Sequence, residues 1–191
     1  MGNQTSLHDL AFNGDDDQIR GRLGLDPACW IYDINSLNSA GETALQVASR
    51  AGKTSTVLLL LDFNANLNAK NKLGITALHS AAAMGHTNVL CALVERGAMI
   101  DALDLEQCTP LHHACHHGRV EAVLALLNAG ADASAENVYD RKAFDLVKDE
   151  QLREDLLEHA QTLIGNWASV DVSNLQCRPH AASFWSWLWL R

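Results

Sequence analysis

Residues 104–136 read DLEQCTPLHHACHHGRVEAVLALLNAGADASAE, and the same plan is written twice more upstream, at 71–103 and 38–70. Thr43, Thr76 and Thr109 stand 33 residues apart, as do Leu45, Leu78 and Leu111, then Ala48, Ala81 and Ala114, then Gly52, Gly85 and Gly118. The pairs Asn64-Ala65, Gly97-Ala98 and Gly130-Ala131 keep that step, followed by Ala69, Ala102 and Ala135. A period of this length marks a solenoid. One such unit cannot bury its apolar face alone and must stack on its neighbours.

The landmark residues suit a pair of helices and a turn. Pro110 fits a first helical turn, where its missing N–H costs nothing, and each preceding Thr can cap free amides there. Gly52, Gly85 and Gly118 end the first helix of each unit, where positive φ is wanted. Gly97 and Gly130 end the second, and Asn64 is the non-glycine residue that tolerates that geometry well. Between these stops, the apolar runs at 57–61 and 123–127 predict helices held in the interior of the stack. A short extended finger, as at 98–102, then turns into the next unit.

The units resemble ankyrin repeats. The Thr-Pro-Leu-His signature of that family stands complete at Thr109-Pro110-Leu111-His112, recurs as Thr76-Ala77-Leu78-His79, and persists more weakly as Thr43-Ala44-Leu45-Gln46. The family's Gly-His appears at Gly85-His86, while Gly52-Lys53 and Gly118-Arg119 keep only the glycine. The resemblance implies an all-α fold, an ankyrin-repeat solenoid of stacked helix-turn-helix units with hairpin-like finger loops. We place a half-unit at 6–37, full repeats at 38–70, 71–103 and 104–136, and a capping unit at 137–163. A short N-terminus (1–5) and a linker with a Trp-rich tail (164–191) flank them. The amphipathic stretch 151–164 reads as the closing helix, with Leu152, Leu156, Leu157, Ala160 and Leu163 on its apolar side. The longer first finger, 24–37, carries Trp30, Ile31, Tyr32 and Ile34 and reads as a hydrophobic plug over the repeat stack, with a partner-binding loop as the alternative.

Such a fold implies binding on the concave surface made by finger tips and inner helices. Carried across by register, the contact positions are Arg50, Lys72, Leu73, Ile75, Met84, Leu105, Glu106, Cys108, His116, His117, Tyr139 and Arg141. Leu73, Ile75, Met84, Leu105 and Tyr139 serve no framework role, and apolar side chains on a wet face suggest a contact patch. Packing between adjacent fingers is the competing reading for them.

The stretch 111–117 is rich in histidine. His112 and His116 are four apart, as are His113 and His117, a spacing that can share a metal ion. Yet His112 holds the framework position, and the sequence shows no carboxylate or second cysteine pair to complete a ligand set. We therefore expect no metal and no other cofactor, and a polar surface that changes charge near neutral pH. No nucleophile stands with a placed base, no glycine loop cradles phosphate, and no carboxylates pair in a cleft, so no catalytic residues are expected and the chain is not read as an enzyme.

Composition agrees with one domain plus tails. A net charge of −9 with only 14 Lys and Arg residues scattered along the chain argues against a nucleic-acid partner. No apolar run reaches the roughly 18 residues of a membrane span. The start has no basic segment followed by an apolar one, as a secretory signal would. With five cysteines, an odd number, we expect reduced thiols and a cytoplasmic protein. Two further signals concern membranes. Residues 1–6 fit the N-myristoylation pattern, with Gly2 as acceptor and Ser6 at the favoured position. A single such chain attaches only weakly. The tail with Trp185, Trp187 and Trp189 is the candidate second anchor, although three readings of it compete. These are docking on the solenoid as a cap, insertion at a membrane or partner interface, and no selected role. Docking or partner contact is favoured over membrane insertion. The leading expectation is an adapter or regulatory subunit that holds another protein. The alternative is a lipidated scaffold tethered peripherally to a membrane.

Overall fold

Three threonines start the inner helices, and each is locked there by the residue three places on. Thr76 Oγ1 accepts from the His79 amide at 3.4 Å, while His79 Nδ1 accepts from the Thr76 amide at 3.2 Å. Thr109 and His112 repeat the pair at 3.4 and 3.2 Å, and Thr43 with Gln46 does so at 3.3 and 2.8 Å. These are capping boxes, which satisfy orphan amides at a helix start. The far end of the same side chain reaches the next unit. His79 Nε2 donates to the Cys108 carbonyl at 3.0 Å, and His112 Nε2 to that of Arg141 at 3.1 Å. Gln46 Nε2 donates to Ile75 O at 2.6 Å and to Ala69 O at 3.0 Å. Because Nδ1 accepts the threonine amide, the imidazole proton of His79 and His112 sits on Nε2.

The computed structural model describes residues 6–23 and 33–166, with side chains as far as Glu158. Its helices come in pairs. An inner row is formed by α1 (Leu7–Asn13), α3 (Ala44–Arg50), α5 (Ala77–Met84) and α7 (Pro110–His116). An outer row is formed by α2 (Asp16–Leu23), α4 (Thr54–Asp62), α6 (Thr87–Glu95) and α8 (Val120–Asn128). Each helix packs on its equivalent in the next unit as well as on its own partner. The interior is a ladder of equivalent residues. Leu45, Leu78 and Leu111 are at most 1% exposed, and Ala48, Ala81 and Ala114, at 0%, let the inner helices approach closely. Leu60, Leu93 and Leu126 fill the outer seam. Asn64 takes φ 61° where Gly97 and Gly130 take 87° and 92°. This is the left-handed stop that a repeat needs after its second helix.

The ends depart from the repeat. Ser6 caps α1 in a box with Asp9. The acidic start of α2 is spent partly on a neighbour, since Asp16 Oδ1 accepts from Thr56 Oγ1 on α4 at 2.5 Å. In the last unit a 3₁₀ turn, Ala143–Leu146, replaces the inner helix, and α9 (Glu150–Asn166) replaces the outer one. Leu156 is buried and Leu152 is partly buried against the core. Leu157, expected on that apolar side, is 39% exposed. It stands one residue from Leu156 and thus about 100° around the helix, off the stripe that Leu152 and Leu156 share at i and i+4. Cys108 and Cys115 carry free, buried thiols, whereas Cys91 is disulfide-bonded, contrary to the expectation of reduced cysteines. Among the described residues no helix is long and apolar enough to cross a membrane. Gly2, the plug residues Trp30, Ile31 and Tyr32, the side chains of Ala160 and Leu163, and the tail with Trp185, Trp187 and Trp189 lie outside what is described.

Two measurements check this framework. Leu78→Ala should cost about 2–5 kcal/mol in urea unfolding, as truncation of a fully buried leucine does. A negligible loss would mean that Leu78 is not core. The second concerns His79, which burial pushes down from 6.5 to about 4, against the opposing bond to the Cys108 carbonyl. The unfolded chain takes up this proton near 6.5 and the folded chain only near 4, so stability is full above that window and falls as pH drops through it. Gln46 performs the same double role without titrating. His79→Gln should therefore fold and show a shallower loss of stability between pH 6.5 and pH 4.

Candidate partner-binding surface

Each finger is built on one Asx residue. Asn38, Asn71, Asp104 and Asn137 stand at the 33-residue step. Each turns its Oδ1 back on two amides of its own finger. Asn71 takes those of Leu73 and Ile75 at 2.9 and 3.0 Å, Asp104 those of Glu106 and Cys108 at 2.8 Å each, and Asn137 those of Tyr139 and Arg141 at 2.9 and 3.1 Å. The finger tips are also tied to one another. Leu105 N–H donates to Leu73 O at 3.1 Å, and Val138 N–H to Glu106 O at 3.0 Å. Gly74, at φ +78°, is required at its place for a second reason. A Cβ there would stand 2.9 Å from Asp104 Cα on the next finger.

The row so fixed carries exposed apolar side chains. Leu73 is 64% exposed, Leu105 70%, Tyr139 58% and Val138 48%, all at the tips. Met84, at the end of α5, is 42% exposed. Lys72, Glu106 and Arg141 are exposed beside the tips, and Arg50, His116 and His117 at the ends of the inner helices. Arg50 pairs with Glu42 at 3.1 Å, and the Arg141 guanidinium lies over the Tyr139 ring, 5.6 Å from its centre. Two expected contact residues are placed differently. Ile75 is only half-exposed, its carbonyl serving the Gln46 bond. Cys108 is buried, at 8% exposure, with its thiol accepting from Asn137 Nδ2 at 3.6 Å. The tip has turned inward by this point of the finger, so the Cys108 side chain packs beneath the surface instead of lining it. Burial pushes the thiol up, with the Asn137 bond opposing, so it stays protonated.

Between the third and fourth fingers the surface deepens into a concavity of ≈ 360 Å³. Asp104, Glu106, His113, His116, His117, Tyr139 and Arg141 line it. His116 and His117 meet edge to face, 4.9 Å between centres, and His117 Nδ1 donates to the His113 carbonyl at 2.9 Å. Burial, followed by the neighbouring His117 and Lys148, holds His116 below its usual range. Asp104 and His113 were missing from the sequence-derived contact set, yet they make the most buried carboxylate–imidazole hydrogen bond of the surface. His113 Nε2 stands 2.8 Å from Asp104 Oδ2, with 24% and 7% of the two side chains exposed. Burial works to raise the Asp104 carboxyl, but the bonds from His113, Cys108 and Glu106 outweigh it and leave the group below the ordinary carboxylate range. The signal for Asp104 lay in the repeat itself, as the one acid where the equivalent fingers have asparagine.

The family described as ankyrin repeats (3 copies) matches residues 7–104 and, overlapping them, 69–137. Repeats of this family generally serve as protein–protein interaction modules. No curated protein matches the chain. The capping boxes, the paired helices and the profile match agree, and the chain belongs to the ankyrin-repeat family.

Proposed function

We propose that the chain acts as an adapter or regulatory subunit that holds a protein partner along its finger tips and inner helix ends. The observation that carries this reading is the exposure of Leu73, Leu105, Val138 and Tyr139 on fingers tied tip to tip by backbone hydrogen bonds. A surface ordered in advance spares the partner the cost of ordering it on association. Apolar side chains held out on such a surface are the usual anchors of recognition. The flanking charges add selectivity. Arg50 is balanced by Glu42, whereas Lys72, Glu106 and Arg141 stand exposed beside the anchors. The action is stoichiometric binding and involves no chemical step.

Leu73→Asp combined with Met84→Asp should remove the partner while leaving helicity within error of the unsubstituted chain. Quantitative mass spectrometry of proteins retained by the two forms, beside their far-UV circular dichroism, checks this. Identical retention by both forms would show that the partner sits elsewhere. A collapse of helicity would show that these side chains belong to the core.

A further inference from the structure

The repeat supplies its own control for one cluster of side chains. His79, Asp104 and His113 come together where the second and third full units meet. One step upstream the equivalent residues are Gln46, Asn71 and Ser80, and one step downstream they are His112, Asn137 and Leu146. An asparagine serves the finger at both of those places, accepting the two amides that Asp104 accepts. The finger therefore has no need of an acid at 104. The second oxygen of Asp104, which asparagine would replace with an N–H donor, is directed at His113 Nε2 at 2.8 Å. His79 lies edge-on to His113, 5.2 Å between ring centres at 89°. Among the described residues these three form the one set of His, Cys, Asp and Glu ligand atoms that all lie within 4.8 Å of one another.

We propose that His79 Nε2, Asp104 Oδ2 and His113 Nε2 bind a divalent transition-metal ion of the zinc class. Two imidazoles and a carboxylate are a donor set that zinc and cobalt accept. Metal–ligand bonds of about 2.0–2.2 Å place tetrahedral ligand atoms about 3.3 Å apart, between the closest and the widest separations seen here. Closing on an ion therefore asks for side-chain shifts of about an ångström, with no rearrangement of helices.

The protons can be accounted for. Asp104 is already a carboxylate, as its bonds dictate. His79 is neutral in its buried site, so no proton has to leave the protein for it to bind. Its Nε2 proton moves to Nδ1, where Thr76 Oγ1, at 2.8 Å, can accept it. The Cys108 carbonyl that loses the His79 bond keeps the Asp104 amide at 3.1 Å. The Thr76 amide gives up its acceptor, and this is the cost of the shift. To bind through Nε2, His113 releases from that nitrogen the proton shared with Asp104 Oδ2, which leaves to solvent at the partly exposed ring. Asp104 and His113 also line the concavity beside Glu106, His116 and His117, so solvent would supply a fourth ligand from that side. The ion would clamp the third finger to two inner helices at once.

The test uses the full-length chain, stripped with chelator, desalted, and titrated with Co²⁺ by visible absorption and with Zn²⁺ by calorimetry. One equivalent should bind, with the intense bands of tetrahedral cobalt. Asp104→Asn and His113→Ser install the residues that equivalent positions already carry, so both variants should fold, with only a small fall in the melting temperature of the metal-free chain from the lost Asp104–His113 bond. Each should weaken binding about tenfold or more. His116→Ala with His117→Ala should leave it intact. Absence of binding would overturn the proposal and leave Asp104–His113 a plain hydrogen bond. Binding that survives Asp104→Asn and His113→Ser, or vanishes with the His116/His117 pair, would overturn it too, by placing the ion on surface histidines.

Discussion

The structure depends on one side chain per unit that works at both ends. His79 and His112 close the amino terminus of their own helix with Nδ1 and hold the carbonyl of the following finger with Nε2. Stacking buries a great deal of apolar surface, but that attraction has no direction of its own and would tolerate units sliding past one another. A buried, directional bond does not. Leaving either ring nitrogen unpaired at 0% exposure would carry the full penalty of a stranded polar group. The framework histidine thereby sets the register of one unit on the next. Gln46 shows that the requirement is geometric, since an amide with an acceptor at one end and a donor at the other performs the same task.

That register decides what the fingers can present. Each Asx residue folds its own finger, and the second, third and fourth tips are bonded in series, so the exposed leucines and Tyr139 stand on backbone ordered in advance. Framework and contact residues are thus separated within a few positions of sequence. Leu73 and Leu105 face water, while Cys108 and the glycines between fingers are consumed by packing. The third finger is the exception, because its Asx residue also engages a histidine from the next helix.

The family, the helix pairs, the caps and the glycine stops were legible in the sequence because each rests on contacts within a single unit, repeated in register. The threonine and its partner are three residues apart. The left-handed stops are local backbone requirements, and apolar runs report burial directly. The exposed tips could be located by the same register. Leu157 was misplaced for a local reason as well, because a run of two leucines does not say which of them a helix turns inward.

Counting along the chain could not decide what happens between units. The bonds from His79 to the Cys108 carbonyl and from Asn137 to the Cys108 thiol each span 29 residues, and they accompany the burial of a cysteine that the sequence register placed on the surface. Asp104 looks in sequence like a conservative stand-in for asparagine. Only the packing of one unit on the next brings His79 and His113 around its second oxygen. The repeating unit can be read along the chain, because it is held by short-range bonds with a fixed period. Which side chains meet across the seams is set by the packing of one unit on the next, because those meetings depend on an offset and angle that no periodicity encodes.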